Sequence, residues 1–229
     1  MMKLIKLELQ KVKLGWYVSG AVIANVLIAA LVCFIGYIEK IEQTAAFASA
    51  EEAIVVMGAI VRATFTIFAA VLIAKLVIEE YKNKTVFITF MYPIRRKKLM
   101  AAKLLIVSGL TFFTMVISNL FVMGVAFGLN TYVPFIPGTL ADTIGQQLLS
   151  IVAFAFAATG TSLIPLYFGM RKQSVPATIV SALLLVVLIS SHNPVFSVAS
   201  IIYIPLSLAA VGIAIAVLAI RKVETTDVL

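Results

Sequence analysis

Glu79-Glu80-Tyr81-Lys82-Asn83-Lys84-Thr85-Val86-Phe87-Ile88-Thr89-Phe90-Met91-Tyr92-Pro93-Ile94-Arg95-Arg96-Lys97-Lys98 is the one long polar stretch in an otherwise apolar sequence, and it joins two runs long enough to cross a bilayer. Between positions 75 and 103 lie eight basic residues against two acids, Glu79 and Glu80. Lys and Arg close to the ends of spans are retained on the cytoplasmic side, so 78–103 reads as a cytoplasmic loop. Read as a helix, it places Val86, Phe87, Phe90 and Met91 on one face. Thr85 or Asn83 caps its start, and Pro93 stops it by restricting Tyr92. An apolar face of this kind needs a cover, which is a partner protein, the chain's own spans or the lipid headgroups.

The whole chain agrees with that reading. A mean hydropathy of +1.13, with 62% hydrophobic and 12% charged residues, excludes an ordinary soluble domain. The 229 residues form a single all-α membrane domain with six transmembrane spans, expected at 14–38, 53–77, 104–129, 146–170, 177–190 and 201–220. The fifth is short, roughly 21 Å of helix. Pro205 interrupts the last apolar stretch, so 195–204 reads as a re-entrant or interfacial piece before span six. Residues 1–13, with Lys3, Lys6, Lys11 and Lys13 opposite Leu4, Ile5, Leu9 and Val12, read as an interfacial helix on the inner leaflet. A cleavable signal peptide ending near Ala46-Phe47-Ala48 is the rival, but the apolar run 14–38 is too long for a signal core. Sixteen of the eighteen Lys and Arg residues then fall on one side, leaving Lys40 outside and Arg62 within the membrane. This predicts a multi-pass protein of the cell membrane with both termini inside.

The pattern formed by Glu79/Glu80, Thr85, Pro93-Ile94-Arg95 and a Lys at 103 opening the next span resembles the first cytoplasmic loop of ABC-2-type exporter permeases. The six-span layout extends the likeness along the chain. The family often has Gly before the Thr, where this sequence has Lys84. The resemblance implies that Glu79, Glu80, Thr85, Val86, Phe87, Phe90, Met91, Pro93 and Arg95 form a coupling helix seated in a groove of a separate ABC ATPase subunit. It also implies a second permease copy or paralogue, as homodimer or heterodimer. The small ATPase-free form is most similar to permeases of peptide export and of bacteriocin or lantibiotic immunity.

Motifs for chemistry are missing. No Gly-x-x-x-x-Gly-Lys-[Ser/Thr] loop occurs, so ATP and Mg are expected on the partner ATPase and no cofactor on this chain. One His, His192, excludes a His-Glu-x-x-His zinc site and reads as an outer turn residue beside Asn193-Pro194. The single Cys33 excludes an internal disulfide and reads as a small apolar residue in a span. Span interiors lack Asp and Glu, which removes candidates for a carboxylate proton relay. No catalytic or metal site, and so no enzyme activity, is expected.

Arg62 is the intramembrane exception, about nine residues or ~13 Å from the start of span two. Its helical neighbours Gly58, Ala59, Thr66, Ala69 and Ala70 are small, which points it into the bundle. It either anchors the bundle, through Asn25, Asn119 or a carbonyl freed by a proline, or meets an anionic substrate group. Gly124-x-x-x-Gly128 and Ala153-x-x-x-Ala157-x-x-x-Thr161 read as close helix-packing faces, and Pro165 as a kink in span four. The function expected is the permease subunit of an ATP-driven exporter of a hydrophobic or amphipathic peptide or compound. The alternative is a membrane-embedded binding, assembly or immunity protein that does not transport.

Overall fold

The computed structural model describes residues 5, 7–9, 15–42, 49–83, 96–131, 144–190 and 203–222, and these are helical apart from short turns. The helices are α1 (Gly15–Glu42), α2 (Ala50–Ile73), α3 (Arg96–Asn130), α4 (Ile144–Thr161), α5 (Pro165–Lys172), α6 (Val175–Ser190) and α7 (Tyr203–Lys222). Among the described residues, five helical stretches are long and apolar enough to cross a membrane: Gly15–Ile38, Ala50–Lys82, Arg96–Asn130, Leu148–Lys172 and Tyr203–Arg221. In the place expected for the fifth span stands α6, whose 16 residues extend about 24 Å, short of the ~30 Å hydrocarbon layer. The expected coupling residues from Thr85 to Arg95, His192 and most of 195–204 lie outside the described residues.

Local sequence sets each boundary. Ser49 caps α2 by accepting from the Glu52 N–H at 3.2 Å, and Glu51 and Glu52 complement the positive helix end. Beyond Ile73 the ladder widens over Ala74–Ile78, with the Glu79 N–H reaching the Ala74 carbonyl five residues back. A last α-turn, Glu79–Lys82, follows, and Asn83 closes it through its N–H to the Glu79 carbonyl at 2.9 Å. Pro165 does more than kink span four. It has no N–H for the Thr161 carbonyl, which accepts from Ile164 N at 3.0 Å instead, and α4 ends there before α5 restarts. Gln173 then adopts a left-handed conformation (φ 45°) that ends α5 behind Arg171 and Lys172. Pro205 sits in the first turn of α7, where a missing N–H leaves no ladder bond unmade.

Two apolar clusters fill the bundle. One, around Ile28, Met57, Val61, Phe65, Met115 and Val122, lies toward the Ala50 end of α2. The other, around Tyr17, Leu72, Leu76, Met100, Val107 and Leu166, lies toward the polar loop. Tyr17 joins three helices: its ring meets Phe68 edge-on, and its hydroxyl bonds Thr114 Oγ1 at 2.9 Å. On α1, Tyr17, Ala21, Ala24, Ile28 and Val32 face inward. The opposite face, with Val22, Val26, Leu27 and Phe34, is exposed, as expected of a helix surrounded by lipid. Cys33 is also on the exposed side.

The expected packing stripes divide. Ala157 and Thr161 are fully buried on α4. Gly124 and Gly128 are exposed, and a Cβ at either would touch nothing within 4 Å, so that pair is not a packing face within this chain. The close crossing is instead between α4 and α7, at Gly160 and Gly212. A Cβ at Gly160 would lie 2.7 Å from the Ala209 Cβ, and one at Gly212 would overlap the Gly160 carbonyl oxygen. Backbone atoms cannot yield as a flexible side chain does. Gly212→Ala should therefore lower the thermal unfolding midpoint in lipid nanodiscs, by the equivalent of about 1–3 kcal/mol. Gly109→Ala, with open space around its Cβ, should match or exceed wild type. Equal stability of the two variants would contradict this packing.

Candidate coupling site and an intramembrane arginine

The polar loop leaves the bundle from the last turn of α2 and returns as α3. Lys103, eight residues into α3, is only 3% exposed although it carries a full charge. Its Nζ donates to the Leu76 carbonyl oxygen at 2.8 Å, within the widened turn, and pairs closely with Glu80 Oε2. A third group, Glu8 Oε2, stands 3.8 Å from the same nitrogen. Glu8 is 6% exposed, and this oxygen has no hydrogen-bond partner, so its link to Lys103 is charge attraction across a gap. An ammonium has three donors, and these three acceptors reach it from two parts of the chain, the N-terminal segment and the stretch that continues α2. The result is a knot tying the N-terminal segment, the end of α2 and the start of α3. Beside it, Lys75 Nζ lies 3.9 Å from the Trp16 ring centroid, over the electron-rich face of the indole.

The sequence reading included Glu80, and included Lys103 only as part of a motif. It missed Glu8 and the Leu76 carbonyl. The signals were present: Glu8 is the lone acid among four N-terminal lysines, and Lys103 stands inside Ala-Ala-Lys-Leu-Leu. Glu79, expected to act with Glu80, is partly buried in the same turn. Of the expected coupling residues, Thr85, Val86, Phe87, Phe90, Met91, Pro93 and Arg95 lie outside the described residues.

Toward the other end, Arg62 sits about 18 Å along the axis from the start of α2. Among the described residues no hydrogen bond joins its guanidinium to Asn25, to Asn119 or to a freed carbonyl. Asn119 Nδ2 donates to the Met115 carbonyl at 2.8 Å, and the buried Asn25 Oδ1 has no hydrogen-bond partner. The guanidinium carbon lies instead 4.7 Å from the centroid of the Phe154 ring, a neighbour the sequence reading missed. Gly58 makes room for it, since a Cβ there would be 3.1 Å from Arg62 Nη1. Arg62 lines a cavity of about 40 Å³ together with Ala59, Ala63, Thr66, Ala158, Thr161, Val186, Ile189 and Pro205. The Thr66 and Thr161 hydroxyls donate to carbonyls of their own helices, Arg62 O and Ala157 O, and leave lone pairs rather than charge beside the cavity.

Apolar spanning helices, a basic loop between α2 and α3 and a buried charge knot at its root describe a multi-pass membrane protein. Over residues 4–189 the sequence matches the family model described as ABC-2 family transporter protein. The chain belongs to the ABC-2 transporter family. A relative, the "Uncharacterized protein YcbO" of Bacillus subtilis (strain 168), is 52% identical over 227 residues, covering 99% of this chain and all of that protein. No solved structure matches. As a member of this family the chain is a multi-pass membrane transport subunit that lacks an ATPase site.

Removing one partner of a buried ion pair strands the other charge, at about 3–5 kcal/mol. Lys103→Met should therefore lower the unfolding midpoint of this ABC-2 subunit in nanodiscs more than Glu8→Gln does. Glu8→Gln in the Lys103→Met background should recover part of the loss, because it removes a stranded carboxylate. A Lys103→Met protein as stable as wild type would show that the knot holds nothing.

Proposed function

We propose that this chain is the permease half of an ATP-driven exporter, working beside a second permease copy or a paralogue and energised by a separate ABC ATPase. The ATPase docks on the cytoplasmic loop 78–103 and covers the apolar face of Val86, Phe87, Phe90 and Met91. Closure of the ATPase then moves the roots of α2 and α3 together. The observation that carries this reading is the Lys103 knot. Both roots of the loop are bound to one buried cation, so a push on the loop reaches the bundle rather than being absorbed by slack chain. Glu80 serves as the fastening point on the α2 side, with Glu79 and Thr85 at the entry to the docking element and Pro93 and Arg95 at its exit.

The orientation proposed is both termini inside, in the plasma membrane, from the excess of Lys and Arg on the loop side. The cargo proposed is a hydrophobic or amphipathic peptide or compound moved outward. Membership of the ABC-2 family and the resemblance to small peptide-export and immunity permeases support this. ATP and Mg belong to the partner, since this chain has no phosphate loop.

Burying two Phe side chains contributes roughly 3–6 kcal/mol before association costs, enough to govern assembly. A carboxylate in their place would be stranded in an apolar groove. Phe87→Asp should lose most of the ATPase that co-purifies with the tagged wild-type chain, while membrane expression is unchanged. Lys84→Asp, on the other face of the docking helix, should lose much less. Full ATPase recovery with Phe87→Asp would remove the docking role. No ATPase with wild type would favour the non-transporting alternative.

A further inference from the structure

The cavity at Arg62 holds a cation that no group of opposite sign meets among the described residues. Among the described residues the guanidinium has one charge-type contact, the face of Phe154 at 4.7 Å, and no hydrogen-bonded acceptor. An aromatic face satisfies the flat side of the guanidinium but leaves its five N–H donors, which lie in the plane and need oxygen. Lining groups from α2, α4, α6 and α7 (Thr66, Ala158, Thr161, Val186, Pro205) are small, apolar or hydroxylic, and none is acidic. The nearest acids on the same helix, Glu51 and Glu52, are about 15 Å away along the axis and exposed. Two further features make this a receptacle rather than an accident of packing. Gly58 is bare where any side chain would crowd Arg62 Nη1, and the space left is about 40 Å³, room for a small polar group but not for a whole substrate.

We propose that Arg62 binds a single carboxylate carried on an apolar body, with the acid entering the cavity and the body lying among the helices and lipid. Two carboxylate oxygens match the guanidinium fork, and such a pair is strong where water is scarce. The small volume favours a carboxylate over a bulky phosphodiester headgroup. The Phe154 ring fixes the guanidinium plane, and the Thr66 and Thr161 hydroxyls supply secondary polar contacts. As a substrate site this rests on the exporter reading and narrows the cargo to lipophilic acids. As a binding site it stands independently.

The test uses the full-length chain in zwitterionic lipid nanodiscs, without any ATPase, and subtracts retention by empty nanodiscs. Radiolabelled dodecanoate is compared with dodecanol, and acetyl-Leu-Phe-Leu bearing a free C-terminal carboxylate with its C-terminal amide. At least one acid should bind tenfold or more tightly than its neutral counterpart, and the pair that does so tells a fatty acid from a peptide terminus. Arg62→Met should abolish that preference, and Arg62→Lys, which keeps the charge without the fork, should retain part of it. If Arg62→Met fails to fold, the wild-type and Arg62→Lys comparisons decide alone. Acids binding no better than neutral partners in wild type, or a folded Arg62→Met protein that keeps the preference, would overturn the proposal. Acid binding by a chain that captures no ATPase would leave the site standing and sink the exporter reading instead.

Discussion

One ammonium group holds the working end of this molecule together. Lys103 is buried where a charge is costly, and the Leu76 carbonyl, Glu80 and Glu8 stand around its Nζ. Glu8 comes from the N-terminal segment, and Leu76 and Glu80 come from the stretch that continues α2. The widened turn over Ala74–Ile78 places the Leu76 carbonyl opposite Lys103, while a single α-turn later Glu80 reaches the same nitrogen. Shifting α3 by one residue against α2 would rotate Lys103 out of this arrangement by about 100°. The knot therefore fixes the register of the two helices that carry the loop.

Above the knot the bundle is held by shape. Tyr17, Phe68 and Thr114 join α1, α2 and α3, and the Gly160–Gly212 crossing presses α4 against α7. In lipid, burial of apolar surface gives helices little reason to associate, so close backbone contact and interhelical hydrogen bonds carry the load. Thr161 adds one such contact, 3.4 Å to the Pro205 carbonyl. Arg62 is the exception to this economy of polar groups. A central Arg is unfavourable by about 2.5–3.5 kcal/mol even on insertion scales, and among the described residues an aromatic face is what offsets it.

The helical membrane fold was legible because hydropathy and loop charge are one-dimensional signals, and both survive without knowing which helices touch. Arg62 could be placed inside the bundle from its small neighbours at helical spacing. Its partner could not, because Phe154 lies on another helix and an aromatic residue in an apolar span carries no mark of its role. Glu8 was missed for the same reason: its pairing with Lys103 crosses 95 positions of sequence. Gly124-x-x-x-Gly128 misled because a small-residue stripe records that a close approach is permitted, and not that one occurs. Gly160 and Gly212 form the real crossing, although neither belongs to a Gly-x-x-x-Gly repeat.

The central claim is that the knot passes motion from the loop to the bundle. It is tested most directly by electron–electron double resonance between spin labels at positions 51 and 131, at the far ends of α2 and α3, in a Cys33→Ala background with the captured ATPase bound. Trapping the nucleotide with vanadate should shift the label separation when Lys103 is present. In Lys103→Met the shift should vanish while the ATPase remains bound. The same shift in both proteins, or none in either, would contradict the account.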